Sequence, residues 1–107
     1  NLMKFYDFVY RLCNVSSSYR WSLKGKKVSA TINSGPYKGY TLNPITAIAH
    51  KAGHGVYENT REGSERAASA IGIPRSFARS IYSATIGSKN RGNTQLIRGF
   101  IRSALEV

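Results

Sequence analysis

The chain has 107 residues, 41% of them hydrophobic, and 16 Lys and Arg stand against five acids for a formal charge of +11. That length fits one domain with a small core, and so large a cationic excess repels itself, which points to an anionic partner: nucleic acid first, an anionic membrane surface second, an acidic protein third. The lone cysteine, Cys13, excludes an intramolecular disulfide and any zinc site built on cysteines.

Residues 1–18 carry an N-terminal helix. Leu2, Phe5, Tyr6, Val9, Leu12 and Cys13 recur at helical spacing, with Lys4, Asp7 and Arg11 on the other side. The apolar stripe is read as core, and "NVSSS" ends the helix. Over residues 19–42 the texture changes. "YRWSLK", "KVSATI" and "YKGYTL" are short runs of aromatic and branched residues separated by "GK" and "NSGP", which predicts a three-stranded antiparallel meander. Lys24, Lys26 and Lys27 then crowd one hairpin tip. Tyr37, Lys38 and Tyr40 interleave aromatics with charge; such a sheet either stacks bases or follows a phosphate backbone, or is a structural ribbon covering helices.

Residues 43–107 read as helical. Asn43 is an N-cap, Pro44 the first helical residue and Gly53 a stop, with Ile45, Ile48, Ala49 and Ala52 as the buried stripe. "NTRE" at 59–62 has the form of a capping box, Asn59 capping and Glu62 reaching back. The helix it starts runs to about Ile71, weakened at Gly63. Gly72 ends it, and Pro74 opens another through to about Thr85. "GSKNRGN" is a loop. Asn93 caps a last helix with a doubled apolar stripe of Leu96, Ile97, Phe100, Ile101, Ala104 and Leu105.

Both histidines, His50 and His54, stand four apart as zinc ligands on a helix do. Gly53 and Gly55 flank His54, however, so His54 leaves the face that His50 occupies, and Glu58, Glu62 and Glu65 have no ligand spacing. No metal site is expected. Metal-free ribonuclease chemistry is more tolerant: one His as base, a second His or a Lys as acid and an Arg at the phosphate, assembled from His50, His54, Lys51 and Arg61, is the alternative reading. "GHG" and "GPYKG" lack the context of a phosphate-binding loop. With a single Asp, a catalytic triad has little to draw on. No cofactor is expected.

The most specific signal is "SERAASAIGIPRSFARSIYS", Ser64 to Ser83. Ala68 is a small residue midway along a first helix, Gly72 supplies a turn four residues later, and Ile73 plugs the corner. Ile81 faces back, and Ala67 and Ile71 complete the inner face. These residues resemble the helix-turn-helix modules of DNA-binding proteins, with one departure at Ala78, where the family usually has a branched aliphatic and where Phe77 supplies the volume. If Phe77, Ala78, Ile81 and Tyr82 face inward, Arg75, Ser76, Arg79, Ser80 and Ser83 face out. Between Ala67 and Leu105 there are six Arg or Lys and no acid, unlike a salt-bridged exposed helix.

The resemblance implies a recognition helix at residues 76–83 lying in the major groove, with Arg75, Ser76 and Arg79 over the bases and Ser80 and Ser83 on the same face. Lys89, Arg91, Arg98 and Arg102 would then clamp phosphates. The reading is therefore one α+β domain over 1–107, mostly helical, with a small three-stranded sheet and a helix-turn-helix-like pair. Its expected role is non-enzymatic binding of double-stranded DNA in preference to RNA, regulatory or accessory to a phage or mobile element. Behind the ribonuclease alternative stand an RNA- or ribosome-associated protein and an inhibitor of an acidic protein. A homodimer is compatible with this reading. No membrane partner is expected, since no apolar run approaches the roughly 20 residues of a span and no secretory signal layout is present. A reducing compartment, cytoplasmic or nucleoid-associated, suits the cysteine usage.

Overall fold

The computed structural model describes residues 2–87 and 90–106, with side chains from Phe5 onward. Lys89 and the side chains of Leu2 and Lys4 lie outside the described residues. Among the described residues there are five α-helices and a small antiparallel sheet, a mostly helical α+β fold.

Helix α1 spans Leu2–Val15 and passes into a single 3-10 turn, Ser16–Ser18. Among its described side chains Phe8, Leu12 and Val15 are buried, with Phe5 and Val9 half-buried against them. The expected stripe is thus rotated: Tyr6 and Cys13 face solvent, and Phe8 takes the inner position. Phe8 meets Phe77 edge-on, with ring centroids 6.1 Å apart, and this contact with a helix remote in sequence sets the rotation.

Strands β1 (Arg20–Ser22), β2 (Ser29–Thr31) and β3 (Thr41–Leu42) pair in that order, with Trp21 opposite Ala30 and Ala30 opposite Leu42. Ala30, Ile32 and Leu42 form its inner face and pack on Ala47. The third strand is shorter than its sequence suggests. Tyr37 to Gly39 form turns, closed by Gly39 N–H to the Ile32 carbonyl and Ile32 N–H to the Tyr40 carbonyl.

Helix α2 is Pro44–Lys51, capped by Asn43 through a full capping box with Thr46. Ile45, Ile48 and Ala49 are buried as expected, whereas Ala52, just past the helix end, is exposed. Asn43 does more than cap. It is 1% exposed, and its Nδ2 donates to Asn59 Oδ1 at 2.9 Å and to Ser64 Oγ at 2.7 Å, which ties α2 to the next helix. Because Asn59 is engaged there, Thr60 takes the cap expected of Asn59, accepting from Gly63 N–H at 3.0 Å.

Helices α3 (Arg61–Ala70) and α4 (Arg75–Ile86) pack against each other, with Ala67, Ala68, Ile73, Ala78 and Ile81 all buried between them and the core. Gly72 turns the chain at φ +78°, and Ile73 N–H closes the corner on the Ala68 carbonyl at 2.8 Å. The orphan carbonyl of Ile71 accepts from Arg11 Nη1 at 2.7 Å. Helix α5 (Gly92–Leu105) packs on α4 and α1. It begins after Arg91 rather than at an Asn93 cap. Its buried residues are Thr94, Arg98, Ile101 and Ala104, so the doubled apolar stripe is split. Ile97 and Leu105 are half-buried, while Leu96 is 61% and Phe100 38% exposed.

Candidate nucleic-acid interface

Helix α4 is amphipathic, so the packing of Ala78, Ile81, Ala84 and Thr85 inward turns its other face out. Ser76, Arg79, Ser80 and Ser83 recur along that outer face and line an open groove of about 940 Å³. Arg61 of α3 borders it on one side and Arg91, at the start of α5, on the other. Arg75, the first residue of α4, is exposed but turns toward α3, its Nε 3.3 Å from Ser69 Oγ. Ser80 spends its hydroxyl on its own helix, donating to the Ser76 carbonyl at 3.4 Å.

One acid reaches this surface from below. The Glu65 carboxylate lies 3.3 Å from Arg79 Nη2 and 3.7 Å from Arg61 Nε. The outer face of α4 contains no acid of its own, but it borrows one from α3. That cross-helix pair could not be read from the sequence; the signal present there was only the Arg61–Glu65 spacing of one helical turn.

The hairpin lysines join the same surface. Lys24, Lys26 and Lys27 are exposed and border a cleft with Ile86 and Gly87, and Ile86 also lines the α4 groove. The join is covalently remote and tightly made. Val28 N–H donates to the Thr85 carbonyl at 2.8 Å, one of the carbonyls left unpaired at the end of α4. Gly87 is left-handed at φ +75°, and a Cβ there would stand 2.9 Å from Lys26 Cβ.

Two expected phosphate clamps are placed elsewhere. Arg98 is 7% exposed on the inner face of α5, and its Nε donates to the Ala84 carbonyl at 3.0 Å. A guanidinium satisfies the negative end of α4 there, which is why a cation occupies a core-facing position. Arg102 is half-buried and its Nη2 donates to the Leu23 carbonyl at 3.0 Å and to the Gly25 carbonyl. Arg98 thus braces the end of α4, and Arg102 the hairpin. Lys89 lies outside the described residues.

The two histidines of the ribonuclease alternative line different cavities, and Arg61 lies apart from both. His50 and Lys51 line one small cavity with Tyr19, His54 borders another with Lys51 and Arg11, and Arg61 lies on the α4 groove. His50 Nδ1 is 2.6 Å from the Tyr19 hydroxyl, which is also 3.3 Å from the Ala47 carbonyl. Burial pushes the Tyr19 phenol above its ordinary range. Among the described residues, no three of His, Cys, Asp and Glu are grouped as metal ligands would be. No described helix is long and apolar enough to cross a membrane. Comparison with protein-family models, with curated proteins and with solved structures finds no match.

Proposed function

We propose that this protein binds double-stranded DNA without cleaving it, with α4 lying in the major groove, in a regulatory or mobile-element accessory role. The observation that carries this reading is the outer face of α4: a helix presenting Ser76, Arg79 and Ser83 into an open groove bordered by Arg61 and Arg91. The major groove of B-form DNA admits an α-helix, and Arg and Ser are side chains that hydrogen-bond its base edges. The deep, narrow major groove of A-form RNA does not admit one, which favours duplex DNA as the partner. Lys24, Lys26 and Lys27, at the end of the same helix, extend the cationic surface toward a neighbouring stretch of phosphates.

Binding to a mixed-sequence duplex and to a structured RNA, each across a salt series, tests the proposal. With six or so phosphates neutralised, duplex affinity falls roughly 10³-fold between about 50 and 200 mM salt. The duplex is preferred, and both nucleic acids are recovered intact. A flat salt response, a preference for the RNA, or cleavage abolished by His50→Ala overturns the proposal.

A further inference from the structure

Glu65 brings a negative charge to an otherwise cationic surface. Among the described residues, its carboxylate meets two arginines of the α4 groove, Arg61 and Arg79. Its side chain is 17% exposed, against 62% for Arg61 and 50% for Arg79, so the carboxylate sits beneath and the guanidiniums reach past it toward solvent. A carboxylate there repels a DNA backbone but not a neutral base edge, so it weighs unequally on the two kinds of contact that Arg79 can make.

We infer that Glu65 is a positioning residue for sequence discrimination: it holds Arg79 as a fork for a guanine base of duplex DNA and disfavours capture of Arg79 by a phosphate. The inference rests on the duplex-DNA reading above. The ion pair engages Arg79 through Nη2, by one carboxylate oxygen. A guanidinium carries five N–H donors in a planar fork, so that contact leaves Nη1 and the second Nη2 hydrogen for another planar acceptor. Guanine O6 and N7 present such a pair of acceptors in the major groove. An Arg ordered before binding gives up less rotamer freedom on contact. The second half of the device is repulsive. A phosphate approaching Arg79 meets the Glu65 charge, whereas a neutral base edge does not, and specificity is gained by penalising the wrong contact. Arg61, from the preceding turn of α3, fixes the carboxylate from its other side.

The experiment is selection from a random duplex library with the full chain, followed by affinities for the selected and a scrambled duplex. The parent is compared with Glu65→Ala, Glu65→Gln and Glu62→Ala. Glu62 is an exposed acid of the same helix and controls for net charge. Removing either acid raises affinity for the scrambled duplex. Of the two alanine variants only Glu65→Ala loses discrimination, at a guanine position and by less than the roughly 5- to 150-fold that one whole bidentate contact is worth, because Arg79 itself remains. Glu65→Gln keeps the shape and an acceptor oxygen, folds as the parent does and lies between. Retained discrimination in Glu65→Gln and Glu65→Ala, or an equal loss in Glu62→Ala, overturns the role of Glu65 alone. A parent that binds no duplex at low salt overturns the duplex reading, and this inference with it.

Discussion

Arg98 enters the packed side of α5 and places its Nε 3.0 Å from the Ala84 carbonyl, at the end of α4 where carbonyls lack helical partners. Replacing it leaves a buried acceptor short of a charged donor. Arg98→Ala is expected to lose about 1.5–3 kcal/mol, the range for hydrogen bonds to charged groups, read as a lower urea midpoint at unchanged slope. Arg98→Lys restores little, because an ammonium on a different stem does not reproduce the planar Nε–H. Tyr19 carries a second expectation at this scale. Its folded pKa lies above the ordinary 10.0 because burial disfavours the phenolate. The unfolded chain therefore ionises first as pH rises. The associated stability is fully present below pH 10.0 and is lost as pH climbs through the folded value. Melting temperatures above that pH fall more steeply in the parent than in Tyr19→Phe, which has no phenol to titrate.

Two glycines, Gly63 in the first turn of α3 and Gly72 just past its end, act for different reasons. Gly72 has φ +78° and open space where a Cβ would stand, so its constraint is backbone conformation. Gly63 is helical, but a Cβ there would collide with the Glu58 carbonyl, whose carbon lies 2.9 Å away. Close approach of that chain is what seats α3 beside the residues before it. Gly72→Ala is expected to cost about 1–2 kcal/mol as a left-handed L-residue. Gly63→Ala costs about 1–3 kcal/mol by overpacking, outweighing the roughly 1 kcal/mol of helix propensity that Ala gains over Gly. Asn distinguishes the causes. Gly72→Asn recovers part of the loss because Asn tolerates the left-handed region. Gly63→Asn is worse than Gly63→Ala. Thermal unfolding of the four variants reads both outcomes.

Across the whole molecule, cations from three segments meet at α4. Arg61 comes from α3, Arg91 from the start of α5, and Lys24, Lys26 and Lys27 from the hairpin that Val28 and Arg102 anchor. Under the proposed function these groups divide by role. Replacing the three hairpin lysines together by Ala is expected to lower the salt slope of duplex binding by roughly 2–3, about 0.9 per phosphate contact, with the preferred sequence unchanged. Arg79→Ala is expected to cost about 1–3 kcal/mol on a preferred site and to relax one position of that site. Selected-sequence profiles and salt titrations of the two variants check the division. Uniform loss in both, with no change of preference, makes α4 a non-specific contact.

Local signals were legible before the fold was known. Asn43-Pro44 marked the start of α2 and Gly53 its end, and Gly72 marked the corner between α3 and α4, because capping and the left-handed region concern only a few adjacent residues. The sheet and its order followed from turn chemistry in the same way. What spacing could not decide was which of two neighbouring helical faces turns inward. In α1 it is Phe8 rather than Tyr6, and in α5 Arg98 rather than Leu96. Each choice was made across the core, by the Phe77 ring for the first and by an unpaired α4 carbonyl for the second. Asn43 meeting Ser64, and Glu65 meeting Arg79, are likewise products of packing. Spacing along a chain specifies that a helix has a polar side; the atoms that a polar side chain finds there belong to other segments, and only folding brings them within 3 Å or so.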